Sequence, residues 1–322
     1  MINLDYDEEK FTCKIGDYCV GKAIDLAEPS FHNRAQEYRR KISGMMKPLS
    51  STDVHRLPNV KDWYAARKFD GEFAVLLFDG KRLMSVNPGG TARIGLPGFI
   101  EAEKLLKKAK VKSCILAAEI YLRDKQSQAH PVHEVVGALR NPKTIDRLDK
   151  LGVAVFDIIE LDEKPVTSTA TVFTLLTKWF AGGKRVNVVD HIVADGTASV
   201  MKAFAEWVDE KGAEGVVLRH DRAGWYKIKT RHNLDAAIIG FSVGTERRTE
   251  MLHDLLVAVV RNDGTFQELT RVGGGFSDEE RLKFAKDLRQ RIVPSDYVAV
   301  NNDYVAYEMI EPGPVIEISF LT

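Results

Sequence analysis

Short runs of apolar and β-branched residues recur along this chain, and they limit its fold more than any other feature. Between residues 46 and 232 they read "FAVLLF", "SCILAAEIYL", "VAVFDIIEL" and "EGVVLR", and this composition is typical of β-strands. Segments with helical periodicity lie between them at 99–110, 170–181 and 198–211. The mixture predicts an α+β fold in which antiparallel pairing dominates.

The pattern changes after residue 232. The run "LDAAIIGF" is followed by "DLLVAVVR", "TFQELTRV", "VAVNN" and "VIEISF", and one predicted helix lies among them at 277–291. Several short strands and a single helix suit a small barrel such as the OB-fold, a module that often binds nucleic acid. We therefore predict one domain at 46–232 and an OB-fold domain at 233–322.

Residues 1–45 precede these two domains and form a segment of their own in the sequence pattern. The stretch "FTCKIGDYCVGKAIDL" alternates as a short hairpin does, and "EPSFHNRAQEYRRKISGMM" has the periodicity of an amphipathic helix. We interpret this segment as an N-terminal appendage. The sequence assigns it no role.

Composition and charge exclude several classes of protein. No apolar run approaches the roughly 20 residues of a membrane span, and the acidic start "MINLDYDEEK" is unlike a secretory signal. We therefore expect a cytoplasmic protein without a membrane partner. The formal net charge is +0, which disfavours non-specific coating of nucleic acid. Cys13, Cys19 and Cys114 lack C-x-x-C spacing, so we expect three reduced thiols and no zinc site.

The stretch "AARKFDGEF" places Lys68 two residues before an Asp-Gly pair and directly ahead of a β-rich run. A lone lysine beside a turn is usually a surface charge, so later positions decide its interpretation. Glu119 lies inside the apolar run "ILAAEIYL", where an ionised carboxylate needs a donor or a metal. Lys227 and Lys229 are two residues apart in "WYKIKT", so in a strand they project from one face.

These residue types together suit a site for a nucleoside triphosphate and its metal. A deprotonated lysine amine such as that of Lys68 can attack an α-phosphate. Neighbouring cations favour the deprotonated amine and neutralise phosphate charge, and Lys227 and Lys229 are the candidates for this role. Glu214, at the head of "EGVVLR", offers the oxygen ligand that Mg²⁺ prefers. Phe156 offers a flat face for a purine.

In order along the chain, "KFDGE", "LAAEIY", "VFDI", "EGVVLR" and "WYKIK" resemble the motifs of the covalent nucleotidyltransferase superfamily, most closely those of ATP-dependent DNA ligases. The lead-in "MKPLS" and the segment "DGTFQELTRVGGGFSDEERLKF" are similar to the same family. The resemblance implies a nucleotidyltransferase (adenylation) domain followed by an OB-fold. It also implies that Lys68 becomes linked to AMP, in a turn shaped by Asp70 and Gly71. Glu119 would contact the ribose, and Phe156 would stack on adenine. Glu214 would ligate the metal, and Lys227 and Lys229 would contact the α-phosphate.

The activity implied by this resemblance is ATP- and Mg²⁺-dependent sealing of 5′-phosphate/3′-hydroxyl nicks in duplex nucleic acid, with DNA favoured over RNA. A monomer is expected. An RNA ligase is the nearest alternative, and a capping guanylyltransferase shares the lysine chemistry. A non-catalytic nucleic-acid-binding relative is the alternative from another class.

Two positions depart from the ligase pattern. Ligases of this family typically carry an arginine five residues after the lysine, where this chain has Phe73, and a second arginine where "MSVN" has Val86. Both arginines normally handle phosphate groups. The nearby candidates to replace them are Arg67, Arg82 and Arg93.

Overall fold

The computed structural model describes residues 2–123 and 132–321. The chain divides into two compact units, residues 1–230 and residues 231–322. The first 45 residues fold as part of the first unit and do not form a unit of their own. Within the described ranges, no helix is long and apolar enough to cross a bilayer.

The first unit contains strands β1–β14 and helices α1–α6. The strands are Thr12–Ile15 (β1), Tyr18–Lys22 (β2), Met46–Ser50 (β3), Trp63–Lys68 (β4), Glu72–Phe78 (β5), Leu83–Val86 (β6), Thr91–Ile94 (β7), Cys114–Leu122 (β8), Leu151–Leu161 (β9), Lys164–Pro165 (β10), Val186–Val188 (β11), His191–Ala194 (β12), Gly215–His220 (β13) and Gly224–Lys229 (β14). The helices are Ser30–Met45 (α1), Pro97–Lys108 (α2), Val132–Arg140 (α3), Ile145–Asp149 (α4), Thr169–Trp179 (α5) and Thr197–Phe204 (α6), the last continuing as a π-helical segment over Ala205–Glu210. Short 3₁₀ turns lie at Glu8–Lys10, Ala23–Asp25 and Ser51–Arg56.

The larger sheet of this unit runs in the order β1-β2-β7-β6-β5-β8-β9-β10, with β11 added in parallel on β9. Its central strand β5 is buried on both faces, which explains its nearly unbroken apolar sequence. Leu76 and Phe78 share a core cluster with apolar side chains of α2, whereas Val75 and Leu77 share another with Phe31 of α1. The N-terminal helix therefore covers one face of the sheet that carries the ligase-like motifs.

The predicted N-terminal hairpin is confirmed, since β1 and β2 pair antiparallel and β2 also pairs with β7. The expectation of three reduced thiols is wrong for two of them. Cys13 and Cys19 are direct partners across the hairpin and form a disulfide. The hairpin register brings the two residues together, and spacing alone does not reveal it. Cys114 is free, and its burial raises the pKa of its thiol.

The smaller sheet runs in the order β12-β4-β13-β14-β3, and β3 joins β14 in parallel. One face packs Trp63, Leu218 and Ile228 against α6 and forms a separate core. The opposite face bears Val217 and Lys227, which line a cavity. Because side chains alternate along a strand, the apolar core on one face leaves the other face free for charged groups.

The second unit contains strands Arg231–Val243 (β15), Leu252–Val260 (β16), Phe266–Val272 (β17), Glu308–Met309 (β18) and Val315–Leu321 (β19), and helix Asp278–Arg289 (α7). A short 3₁₀ turn lies at Glu246–Arg248. The strands pair antiparallel in the order β17-β16-β15-β18, with β19 also on β15. Ser277 and Glu280 form a capping box that starts α7, close to the start predicted at residue 277.

The prediction of a strand at "VAVNN" is wrong. This stretch makes one isolated bridge, between Val300 and Ala306. The Asn301 side chain accepts hydrogen bonds from the backbone N–H groups of Asp303 and Val305, each at 2.9 Å. An asparagine that binds its own downstream backbone favours a turn over a strand.

Candidate active site

Lys68 is the last residue of β4, where it pairs in register with Gly215 of β13. Glu214, which directly precedes β13, therefore lies beside Lys68. Its Oε2 accepts a hydrogen bond from Lys68 Nζ, and its Oε1 lies 2.5 Å from Lys229 Nζ. Partial burial opposes ionisation of this carboxyl, but the Lys68 charge and the two lysine hydrogen bonds hold the pKa of Glu214 below its usual value.

Strand β14 places both of its lysines on the side away from the core. Ile228 is fully buried between them, so Lys227 and Lys229 project from the opposite face, as their spacing predicts. Lys227 lines the cavity, and Lys229 reaches Glu214. The two lysine side chains therefore lie on the same face of β14, one at the cavity and the other at Glu214.

The turn after Lys68 is possible only with a very small residue at position 71. A Cβ on Gly71 would lie 2.2 Å from the carbonyl oxygen of Ile120 in β8, which is closer than two such atoms can approach. The glycine therefore lets the turn touch the backbone of the neighbouring strand. Asp70 in the same turn is half-buried, and burial together with the Glu214 charge raises its pKa against the opposing effect of Lys68.

Glu119 lies on β8 in register with Phe73 of β5. We expected a donor or a metal to compensate its buried charge, but among the described residues its side chain has no hydrogen bond or ion pair. Burial instead raises the pKa of Glu119 to about 8, and Lys68 opposes this only in part. The carboxyl group is therefore largely protonated at neutral pH.

Phe156 of β9 belongs to a row of aromatic rings beside the cavity. The rings of Phe156 and Phe73 have centroids 6.2 Å apart, and Phe73 stacks on Tyr38 of α1 at 6.0 Å with an interplanar angle of 5°. The guanidinium of Arg219 lies 5.5 Å from the Phe156 ring centroid. Phe156 itself remains half-buried, so its ring can accept a further planar group.

These side chains surround a cavity of about 330 Å³ in the first unit. Four of the predicted site residues line it: Lys68, Glu119, Phe156 and Lys227. Glu214 and Lys229 do not line it. Glu214 is connected to the cavity through its ion pair with Lys68, and Lys229 pairs with the other oxygen of Glu214. The cavity has a cation at one wall and an aromatic face at another, which suits a phosphorylated ligand with a planar base.

The two departures from the ligase pattern have different structural consequences. Phe73 lies in the cavity wall, whereas Val86 is fully buried in the core covered by α1. Of the three arginines considered as replacements, Arg67 lines the cavity. Arg82 and Arg93 do not line it.

Those two arginines are held by carboxylates elsewhere in the unit. Arg82 Nη2 lies 2.7 Å from Asp5 Oδ1, and Arg93 Nη1 lies 2.6 Å from Glu72 Oε1. Arg93 is also buried, with 4% of its surface exposed. Neither guanidinium lines the cavity.

Three cavity residues with polar or charged side chains were not predicted from the sequence: Tyr38, Arg39 and Arg219. Arg219 could have been found, because it is a charge at the end of the apolar run "EGVVLR". The structure buries it against Phe156, whose carbonyl oxygen accepts a 3.0 Å hydrogen bond from Nη1. Tyr38 and Arg39 reach the cavity only through the packing of α1.

Comparison with known proteins identifies curated relatives that are DNA ligases. The DNA ligase of Thermococcus fumicolans is 24% identical over 306 residues, which cover 85% of this chain and 54% of that protein. The DNA ligase of Nitrosopumilus maritimus (strain SCM1) is 25% identical over 308 residues, covering 86% and 50%. The chain thus spans about half the length of these curated relatives.

A solved structure titled "Pmar-Lig_PreS3" has a TM-score of 0.55 at 17% identity, with 87% of this chain and 70% of that chain covered. At this identity the likeness concerns the fold. Residues 45–234 match the family model described as "ATP dependent DNA ligase domain". This range includes every predicted site residue and more than half of the 322 residues, and the chain belongs to the ATP-dependent DNA ligase family.

Proposed function

We propose that this protein is an ATP-dependent DNA ligase that seals nicks between a 5′-phosphate and a 3′-hydroxyl through a lysyl-AMP intermediate on Lys68. The observation that carries the proposal is the contact of Lys68 and Lys229 with the two oxygens of Glu214 at the edge of a cavity with an aromatic wall. A lysine that only carries surface charge would have neither a second lysine at its carboxylate partner nor a cavity beside it.

The cavity offers a place for each part of the nucleotide. Phe156 provides the face on which adenine stacks. Glu119 contacts a ribose hydroxyl, and because its carboxyl is largely protonated at neutral pH, it can donate as well as accept a hydrogen bond. Lys227 and Lys229 then lie where the α-phosphate meets Lys68.

The first reaction step forms one bond and breaks another at the α-phosphorus. The ammonium proton of Lys68 leaves along its hydrogen bond to Glu214 Oε2 and passes to solvent. The free Nζ electron pair attacks the α-phosphorus, a P–N bond forms, and the P–O bond to pyrophosphate breaks. Lys227 and Lys229 neutralise the charge that develops on the phosphate oxygens.

Two further transfers complete the cycle. A 5′-phosphate oxygen of the nick attacks the same phosphorus, so that the P–N bond to Lys68 breaks and the AMP becomes attached to the DNA end. The 3′-hydroxyl then attacks the 5′-phosphate, loses its proton and releases AMP. Lys68 returns to the free amine after the first of these transfers.

The donor set also fits Mg²⁺. Asp70, Glu119 and Glu214 are near enough to influence one another's pKa, although no cluster of three or more such residues in the described ranges has the geometry of a metal site. Mg²⁺ commonly uses one or two carboxylates together with substrate phosphates and water. When bound, the ion would supply charge neutralisation at the phosphates, with Glu214 and Asp70 as its protein ligands.

We assign residues 46–232 to a nucleotidyltransferase domain and residues 233–322 to an OB-fold. Five antiparallel strands and one helix in the described part of the second unit support the OB assignment. Nicked duplex DNA is the proposed substrate, and the protein is proposed to act as a monomer. Binding through the phosphates of the duplex would be sensitive to salt.

Incubation with ATP labelled at the α-phosphate tests this function. We expect a covalent protein–AMP adduct that is stable to denaturation, and sealing of nicked DNA in preference to nicked RNA. Preferential sealing of RNA would replace the proposed substrate. A protein that neither acquires label nor seals any nick, but binds duplexes, would be a non-catalytic relative of the ligases.

A further inference from the structure

The cavity wall lacks a cation at position 73, and helix α1 occupies the space beside it. Phe73 stacks on Tyr38, which is the residue before Arg39 on the helix. Arg39 lines the same cavity as Lys68, Glu119 and Phe73. The stacked rings of Phe73 and Tyr38 therefore connect position 73, where the arginine of the family is absent, to the helix that carries Arg39.

Helix α1 is fixed on the sheet by polar contacts as well as by its apolar side chains. The Tyr38 hydroxyl donates a hydrogen bond to Asp157 of β9, and Arg34 forms an ion pair with Glu160 of the same strand. Tyr38 and Arg34 are four residues apart and lie on one side of the helix. These contacts hold the middle turns of α1, and Arg39 with them, at the edge of the cavity.

Arg39 differs from the other two arginines of the cavity, because each of those two has a carboxylate neighbour. Arg67 lies 3.5 Å from Asp190 and over the ring of Phe69, and Arg219 is buried beside Asp157. Within the described residues, the exposed guanidinium of Arg39 makes no hydrogen bond, ion pair or ring contact.

The Arg39 guanidinium keeps its positive charge near neutral pH, because arginine is not deprotonated in proteins. It lines the same cavity as the Glu119 carboxyl, with which it forms no ion pair among the described residues. A guanidinium in this state binds phosphate oxygens well, because its planar donors match their geometry.

We propose that Arg39 is a phosphate-binding residue of the active site, supplied by the N-terminal helix in place of the cation missing at position 73. The inference rests on the proposed function and extends it to residues 1–45. The ligand is a phosphate group of one of two sources: the polyphosphate of ATP, or the 5′-phosphate of the nicked strand.

Equilibrium binding separates these sources without depending on turnover. The protein used is Lys68→Ala, which cannot form the adduct, with Arg39→Ala, Arg39→Lys or Arg40→Ala added. Arg40 is the matched control, since it is the next residue on the exposed part of α1 and does not line the cavity. The probes are ATP, a nicked duplex with a 5′-phosphate, and the same duplex with a 5′-hydroxyl.

If Arg39 binds the polyphosphate, Arg39→Ala weakens ATP binding by about tenfold or more relative to Arg40→Ala, the scale of one charged contact. If it binds the nick, Arg39→Ala removes the preference for the 5′-phosphate duplex over the 5′-hydroxyl duplex. Arg39→Lys should recover part of the lost affinity, because it keeps the charge and loses the planar donors.

Equal ATP affinity and equal 5′-phosphate preference in Arg39→Ala and Arg40→Ala would overturn this proposal. Thermal melting of the variants shows whether α1 remains packed, and an exposed side chain should change the melting temperature little. Absence of the AMP adduct in the unaltered protein would overturn the proposed ligase function, and the binding comparison would still decide the role of Arg39.

Discussion

Lys229 Nζ lies 2.5 Å from Oε1 of Glu214, an ion pair that joins the end of β14 to the residue that directly precedes β13. Because Lys68 contacts the other oxygen of the same carboxylate, the two ammonium groups share one counter-charge. The glutamate thus holds two cations side by side, where their mutual repulsion would otherwise separate them. This arrangement gives direct predictions for each member.

Lys68→Ala should abolish formation of the covalent AMP adduct, because no other amine replaces the attacking Nζ. The fold should survive, since Glu214 keeps Lys229 as a partner. Labelling with ATP followed by denaturing electrophoresis measures the first effect, and circular dichroism the second. Lys61→Ala, at an exposed lysine, is the control and should label normally. Normal labelling of Lys68→Ala would mean that another residue is the nucleophile.

Glu214→Gln should lower the rate of adenylation by about 100-fold or more, the usual scale for loss of one charged contact in a transition state. The neutral amide cannot hold two ammonium groups, so Lys68 and Lys229 repel each other and lose their positions. Single-turnover labelling measures the rate. The exposed Glu210 provides the matched change Glu210→Gln, and equal rates in the two variants would place the phosphate site elsewhere.

The parts of the site that follow local periodicity could be predicted from the sequence. Lys227 and Lys229 share a face because strand side chains alternate, and Ile228 between them is buried as this requires. The strands that carry Glu119 and Phe156 could also be predicted from local sequence, because their apolar runs are long and rich in residues that favour β-strands. Which role each residue has in catalysis stays a prediction.

The parts that depend on long-range packing could not be predicted. Tyr38 contacts Asp157 across 119 positions of sequence, and no local pattern in α1 indicates that this helix covers the sheet. The disulfide of Cys13 depends on a hairpin register, and the protonated state of Glu119 depends on burial by several elements. The need for glycine at position 71 also arises from a strand nearly 50 residues away, through the carbonyl of Ile120 at 2.2 Å from a Cβ there.

Gly71→Ala should destabilise the protein by about 1–3 kcal/mol, the usual cost of overpacking, and should slow adenylation because the turn that follows Lys68 must move. Urea unfolding measures the free energy of unfolding. Gly137→Ala is the matched control. This glycine lies in helix α3, where, among the described residues other than its chain neighbours and its own helix backbone, no atom lies within 4 Å of a Cβ. Alanine should therefore stabilise the protein by roughly 0.5–1 kcal/mol. Similar effects of both changes would contradict the close contact at Gly71.

Glu119→Gln should stabilise the protein increasingly as the pH rises. The pKa of Glu119 is raised from 4.5 to about 8 in the folded state, chiefly by burial. Between these values the folded protein keeps a proton that the unfolded chain releases, so the stability of the unaltered protein falls with rising pH and levels off above the folded pKa. Glutamine does not titrate. Urea unfolding at pH about 5.5 and about 8.5 should therefore show a larger advantage of the variant at the higher pH, and an equal difference at both would mean that Glu119 is ionised throughout.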